Sequence, residues 1–134
     1  MYKQNYHIFV YGTLKKDKSA GHLLANSQYL GLGTTSDKYT LYGSDIYPGL
    51  VLEQNSSGVD GEIYCISENT KDILDRYEGV DYGLFRWTIV KIQNAYFLND
   101  YKKLEESVIK GIIPIYSYIF CGNLNNFCKI KQWT

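Results

Sequence analysis

The stretch FVYGTLKK, residues 9 to 16, decides how this chain is read. Ile8 to Tyr11 form an apolar, aromatic run of the kind that makes a strand. The run ends at Gly12, and Thr13-Leu14 and two lysines follow. A plain hairpin would place Asn-Gly or Asp-Gly here and start a second strand at once, yet no clear strand signal follows for about fifteen residues. A glycine at the end of a buried strand lets the backbone approach something closely or turn with its N–H groups exposed. Consecutive exposed N–H groups make a concavity for anions, so a carboxylate-bearing metabolite fits this tip; a purely structural corner glycine is the plainer alternative. No GxxxxGK[ST] or GxGxxG pattern is present, which removes P-loop and dinucleotide readings.

Outward from that point, the chain alternates short strand signals with turns. Strands are expected at 7–11, 38–42, 50–52, 59–65, 86–92 and 116–121. Turns are expected at Tyr47-Pro48-Gly49 and at residues 55–58. Many short strands suggest a barrel or folded sheet. Helices are expected at 19–27, at SENTKDILDRYEG (67–79) and at NDYKKLEESVIKG (99–111). The second has Ser67, Asn69 and Thr70 as possible N-caps and Gly79 as a stop; the third lies between Asn99 and Gly111. The whole is an α+β chain read as one domain over 1–134, with 99–111 a helical insertion on the surface. Fourteen tyrosines in 134 residues also lean toward β structure.

Composition narrows the function. Hydrophobic residues make up 45% and charged residues 21%, an ordinary globular balance. The formal net charge is zero, so no basic stripe exists to grip nucleic acid. No stretch approaches 18 apolar residues, so no membrane span is expected. The opening MYKQNYH lacks the apolar run of a signal peptide, and a cytoplasmic location follows as an expectation. Cys65, Cys121 and Cys128 have no paired spacing and read as reduced, mostly structural thiols. His7 and His22 have no metal-type spacing. Neither metal nor cofactor is expected.

On the second helix, Ile73, Leu74 and Tyr77 make an apolar stripe, and Glu78 falls at i+4 from Leu74 beside it. Glu78 also lies in the last turn, at the negative end of the helix dipole. Burial there adds to the penalty on its charge, and both effects raise a carboxyl pKa toward what a general acid/base needs. A Glu78 turned to solvent at the edge of the stripe is the bland alternative.

FVYGTLKK, YPGL, VDGEIY and LDRYEGVD, in this order and followed by an Arg and a strand, resemble the γ-glutamylcyclotransferase-like family, which includes the AIG2-like proteins and γ-glutamylamine cyclotransferases. The blocks run from Phe9 to Ile92, with a weaker echo at YSYIF (116–120). The resemblance implies a small mixed β-barrel with flanking helices and a cavity for a γ-glutamyl substrate. Backbone N–H groups of Tyr11, Gly12, Thr13 and Leu14 would hold the α-carboxylate, with Arg86 and Tyr118 completing the binding set. Glu78 would carry protons while the substrate's own amine attacks its γ-carbonyl and 5-oxoproline forms, without metal or cofactor. A monomer or weak homodimer working on a small molecule is the expected state. The chain departs from the family pattern at Leu84-Phe85-Arg86, where many members have Tyr-x-Arg, and at Gly21-His22, where many have Asn. A non-catalytic binding module on the same fold is the alternative function.

Overall fold

In the computed structural model, residues 4–55 and 57–133 are described. The first strand, β1 (Asn5–Val10), lies in the middle of the sheet. It runs antiparallel to β5 (Asp60–Ser67) on one side and parallel to β8 (Ile115–Phe120) on the other. Beyond β5 come β2 (Gln28–Thr35) and β7 (Ile92–Phe97). Beyond β8 come β4 (Pro48–Leu52), β3 (Tyr39–Gly43) and the short β9 (Cys128–Lys129), while β6 (Phe85–Val90) also pairs with β8. The sheet curls into a half-barrel, and with two helices it makes the mixed α+β fold expected.

Side-chain alternation sorts β1 between two cores. Phe9 and Tyr11 enter the barrel interior with Leu30, Leu41, Leu50 and Ile63. Ile8 and Val10 face the other way, against Leu74, Tyr118 and Phe120. A strand buried on both faces needs a continuous apolar run, which is why IFVY does not alternate with polar residues.

The helix α1 (Glu68–Tyr77) packs on that second face. Ser67 ends β5 and also caps α1, its side chain accepting from the Thr70 N–H at 3.2 Å. The expected apolar stripe is narrower than its sequence suggests: Leu74 is fully buried, whereas Ile73 and Tyr77 are nearly half exposed. Gly79 follows in the left-handed conformation (φ 66°), where a side chain would be strained. The other helix, α2 (Lys102–Ile109), is preceded by a 3-10 turn at Asn99–Tyr101 and packs beside β7.

Several local expectations are corrected. Residues 19–27 hold only a 3-10 turn, Gly21–Leu24, whose first position is a glycine and whose N-terminus has no side-chain cap. β2, which contains Gly31 and Gly33, was not expected, since glycines weaken a strand signal, and β6 and β7 are two strands divided at Lys91 rather than one at 86–92. Pro48 and Gly49 belong to β4, paired with Gly43 and Tyr42, so no Gly-type turn forms there. Gly49 is used instead for close packing against the Phe120 ring. No peptide bond among the described residues is cis, including the one before Pro48. Glu105 is not merely solvated: its carboxylate accepts from the Phe97 N–H at 2.6 Å and ties α2 to β7. Ser56, in the expected turn 55–58, and residues 1–3 of the opening segment lie outside the described residues. No helix among those described is long and apolar enough to cross a membrane.

Candidate active site

Where β1 ends, the chain leaves the sheet and folds over a cavity of about 320 Å³. Tyr11, Gly12, Thr13 and Leu14 form one wall. The loop is closed by its own carbonyls: the Lys15 N–H donates to Gly12 O (3.0 Å) and the Ala20 N–H to Thr13 O (2.8 Å). The Lys16 N–H donates to the Glu62 carboxylate at 2.8 Å. None of the described hydrogen bonds uses the N–H of Gly12, Thr13 or Leu14. Gly12 is required by space, since a Cβ there would run into the Pro48 ring.

The facing wall comes from the end of α1. Leu74, fully buried, fixes the last turn of the helix, and Glu78 follows one turn later as its C-cap residue. Glu78 lines the cavity, half-buried, and among the described residues nothing donates a hydrogen bond to its carboxylate. Burial alone pushes its pKa up to about 7, so near neutral pH it exists in both protonation states. The Tyr77 hydroxyl, 2.8 Å from Thr13 Oγ1, links this turn to the β1 loop.

Two tyrosines complete the polar part. The Tyr11 hydroxyl donates to the Tyr118 carbonyl (2.7 Å), and the Tyr118 hydroxyl donates to Asp75 Oδ1 (2.7 Å). Asp75 is held by Lys71 at 2.8 Å, and the Lys71 ammonium lies 4.8 Å from the Trp87 ring centre. Burial holds both phenols protonated, and the nearby Glu78 charge acts in the same direction on each. With their protons committed, these hydroxyls offer only lone pairs to anything else. Ser117 lies fully buried in the cavity wall, with its hydroxyl donating to Phe9 O at 2.7 Å.

Of the residues expected at a site, Tyr11, Gly12, Thr13, Leu14, Glu78 and Tyr118 meet around this one cavity. Arg86 does not. It is exposed on β6, and strand alternation sends Phe85 into the cavity wall in its place. The sequence reading missed Asp75, Tyr77 and Ser117. Asp75 lay within reach of it, since a position three before Glu78 shares that helix face. Among the described residues no group of three His, Cys, Asp or Glu side chains is placed to hold a metal.

A glycine-tipped central strand, a curled mixed sheet and a glutamate closing a helix against the strand tip define a family. The chain belongs to the gamma-glutamyl cyclotransferase, AIG2-like family, whose model matches residues 8–114. A Vibrio cholerae relative, itself named only provisionally as a gamma-glutamylcyclotransferase, is 42% identical over 82 residues, 61% of this chain and 70% of that one. The gamma-glutamylaminecyclotransferase A of Danio rerio is 35% identical over 79 residues, 53% of this chain and 49% of its own. This chain therefore matches between 49% and 70% of these curated relatives' length. The crystal structure of a mouse AIG2-like protein shares the fold, with a TM-score of 0.71 over 98% of this chain and 89% of that one, at 19% identity.

Proposed function

We propose that this chain releases 5-oxoproline from a γ-glutamyl amine or amide by internal aminolysis, with Glu78 as the proton carrier. One observation carries the reading. A carboxyl pushed to about 7 shares a small cavity with the backbone N–H groups of Gly12, Thr13 and Leu14, and among the described residues neither the carboxyl nor these N–H groups have a hydrogen-bond partner.

The Gly12, Thr13 and Leu14 N–H groups are suited to the substrate's α-carboxylate. The α-ammonium then lies toward the acceptor-rich wall of Glu78 and the Tyr118 oxygen. Ionised Glu78 takes one proton from the ammonium and frees the nitrogen lone pair. That nitrogen attacks the γ-carbonyl carbon, closing a five-membered ring. As the tetrahedral intermediate collapses, Glu78 returns that proton to the distal nitrogen, whose bond to carbon breaks, and the ionised Glu78 then takes the second proton from the ring nitrogen and passes it to solvent. The products are 5-oxoproline and a free amine, and no water is consumed. Nucleophile and electrophile belong to one molecule, so the protein's main task beyond proton transfer is to keep the chain curled. A pKa near 7 suits a group that must both accept and donate at neutral pH.

The test is a panel of γ-glutamyl amides and amines assayed for 5-oxoproline. Release by the wild type and its loss in Glu78→Gln support the proposal. Binding without release across the panel points to a non-catalytic module and ends it.

A further inference from the structure

The part of the cavity that a γ-glutamyl head group leaves unfilled has a distinctive chemistry. Ile46, Tyr47, Pro48, Tyr77 and Leu84 line one side of it. Ile46 is 77% exposed and Tyr77 46%, so both stand at the opening, while Phe9, Ser117 and Tyr118 floor the inner end. Among the described residues that line the cavity, Glu78 is the one with a charged side chain; no Lys, Arg or His is among them. The cations nearest in sequence stand elsewhere. Lys15 lines a separate groove with Asp60 and Glu62, and its ammonium donates to the Trp133 carbonyl at 3.3 Å. Arg76 is exposed on α1 and Lys18 does not reach the lining.

A second carboxylate on the leaving side would therefore meet aromatic and aliphatic surface without a cation. Removing a charge from water without a partner is costly, whereas an alkyl or aryl group gains by covering the same surface.

Building on the proposed cyclotransfer, we infer that the leaving amine of the substrate is apolar and carries no carboxylate: an alkyl- or arylalkyl-amine, not an amino acid or a peptide. Ile46, Tyr47 and Tyr77 set that preference by covering the hydrocarbon part.

The experiment uses a matched pair, γ-glutamyl-phenethylamide and γ-glutamyl-phenylalanine, which differ by one carboxylate on the leaving side. We expect kcat/KM for 5-oxoproline release to favour the phenethylamide by about 10-fold or more, a difference of ~1.4 kcal/mol. Titration calorimetry on the Glu78→Gln protein should give the same order of affinity without turnover. Ile46→Lys, at a position exposed enough to tolerate it, should narrow the gap by improving the phenylalanine conjugate. Equal or reversed preference in both assays overturns the inference, as does an Ile46→Lys protein with an unchanged ratio. If calorimetry gives the expected order but neither compound releases 5-oxoproline, the cyclotransfer reading fails and the binding preference stands.

Discussion

The two helices end in the same way and in opposite electrostatic comfort. α1 stops at Glu78 and a left-handed Gly79 (φ 66°); α2 stops at Lys110 and a left-handed Gly111 (φ 75°). At α2 the C-cap residue is a cation at the negative end of the dipole, exposed and paired with Glu106 at 3.0 Å. At α1 it is a carboxyl at the negative end, half-buried and, among the described residues, without a donor. One terminus follows every rule for a stable helix, and the other breaks two of them. Such faults cluster where chemistry needs them, so the contrast supports the role proposed for the α1 terminus.

Breaking the α1 side should have the largest effect. Glu78→Gln removes the proposed proton carrier, and 5-oxoproline release should fall by at least about 10²-fold, while a γ-glutamyl analogue still binds by calorimetry. Wild-type-like turnover in that protein would remove Glu78 from the mechanism.

Next come the anchors of the two helices. Leu74→Ala empties a fully buried position and should cost about 2–5 kcal/mol in urea unfolding, and activity should fall as the last turn of α1 loosens. Val108→Ala, also buried but smaller, should cost less in the same measurement and leave kcat/KM of the folded protein unchanged. An activity loss of similar size in both would erase the distinction between the two helices.

A smaller effect sharpens the comparison through pH. The folded pKa of Glu78, about 7, lies above its ordinary value of 4.5. The folded chain thus keeps a proton that the unfolded chain releases, and Glu78 increasingly penalises folding as pH rises between these values. Glu78→Gln should therefore stabilise by on the order of 2 kcal/mol above pH 7, with the gain fading to nothing below about pH 4.5. Thermal midpoints of both proteins across this range test it, and a gain that persisted at pH 4 would point to packing instead.

The smallest effect belongs to α2. Lys110→Glu places a carboxylate at that terminus too, but in solvent, and should cost only about 0.3–1 kcal/mol with no change in activity. An equal charge fault would then have a small effect where water screens it and a large one where burial does not.

This contrast also marks what could be read beforehand. The two α-helices and the Gly79 stop were legible, with Ser67 among three candidate caps, because capping is local chemistry; the expected helix at 19–27 was not there. Glu78 was legible as a carboxylate in an awkward position, since dipole and stripe are both properties of one segment. The strand β2 was not, because its glycines make sense only once β7 is packed beside it. Nor was the hydrogen bond from Tyr118 to Asp75, which joins residues 43 positions apart. Arg86 was misplaced because its direction depends on the register of β6 on β8, which no local signal fixes.

The Thr13–Tyr77 hydrogen bond spans 64 positions, and the Tyr11–Tyr118 bond spans 107. Neither end of the site can assemble until the middle of the sheet has closed over long loops, which is a slow, entropy-limited event. During refolding, the helical signal of α1 should return first and ligand binding only later, together with closure of β1 against β5 and β8. The chain therefore has no half-built version of its site: a partly folded molecule displays a glutamate at a helix end and a loose glycine loop, and neither recognises anything alone.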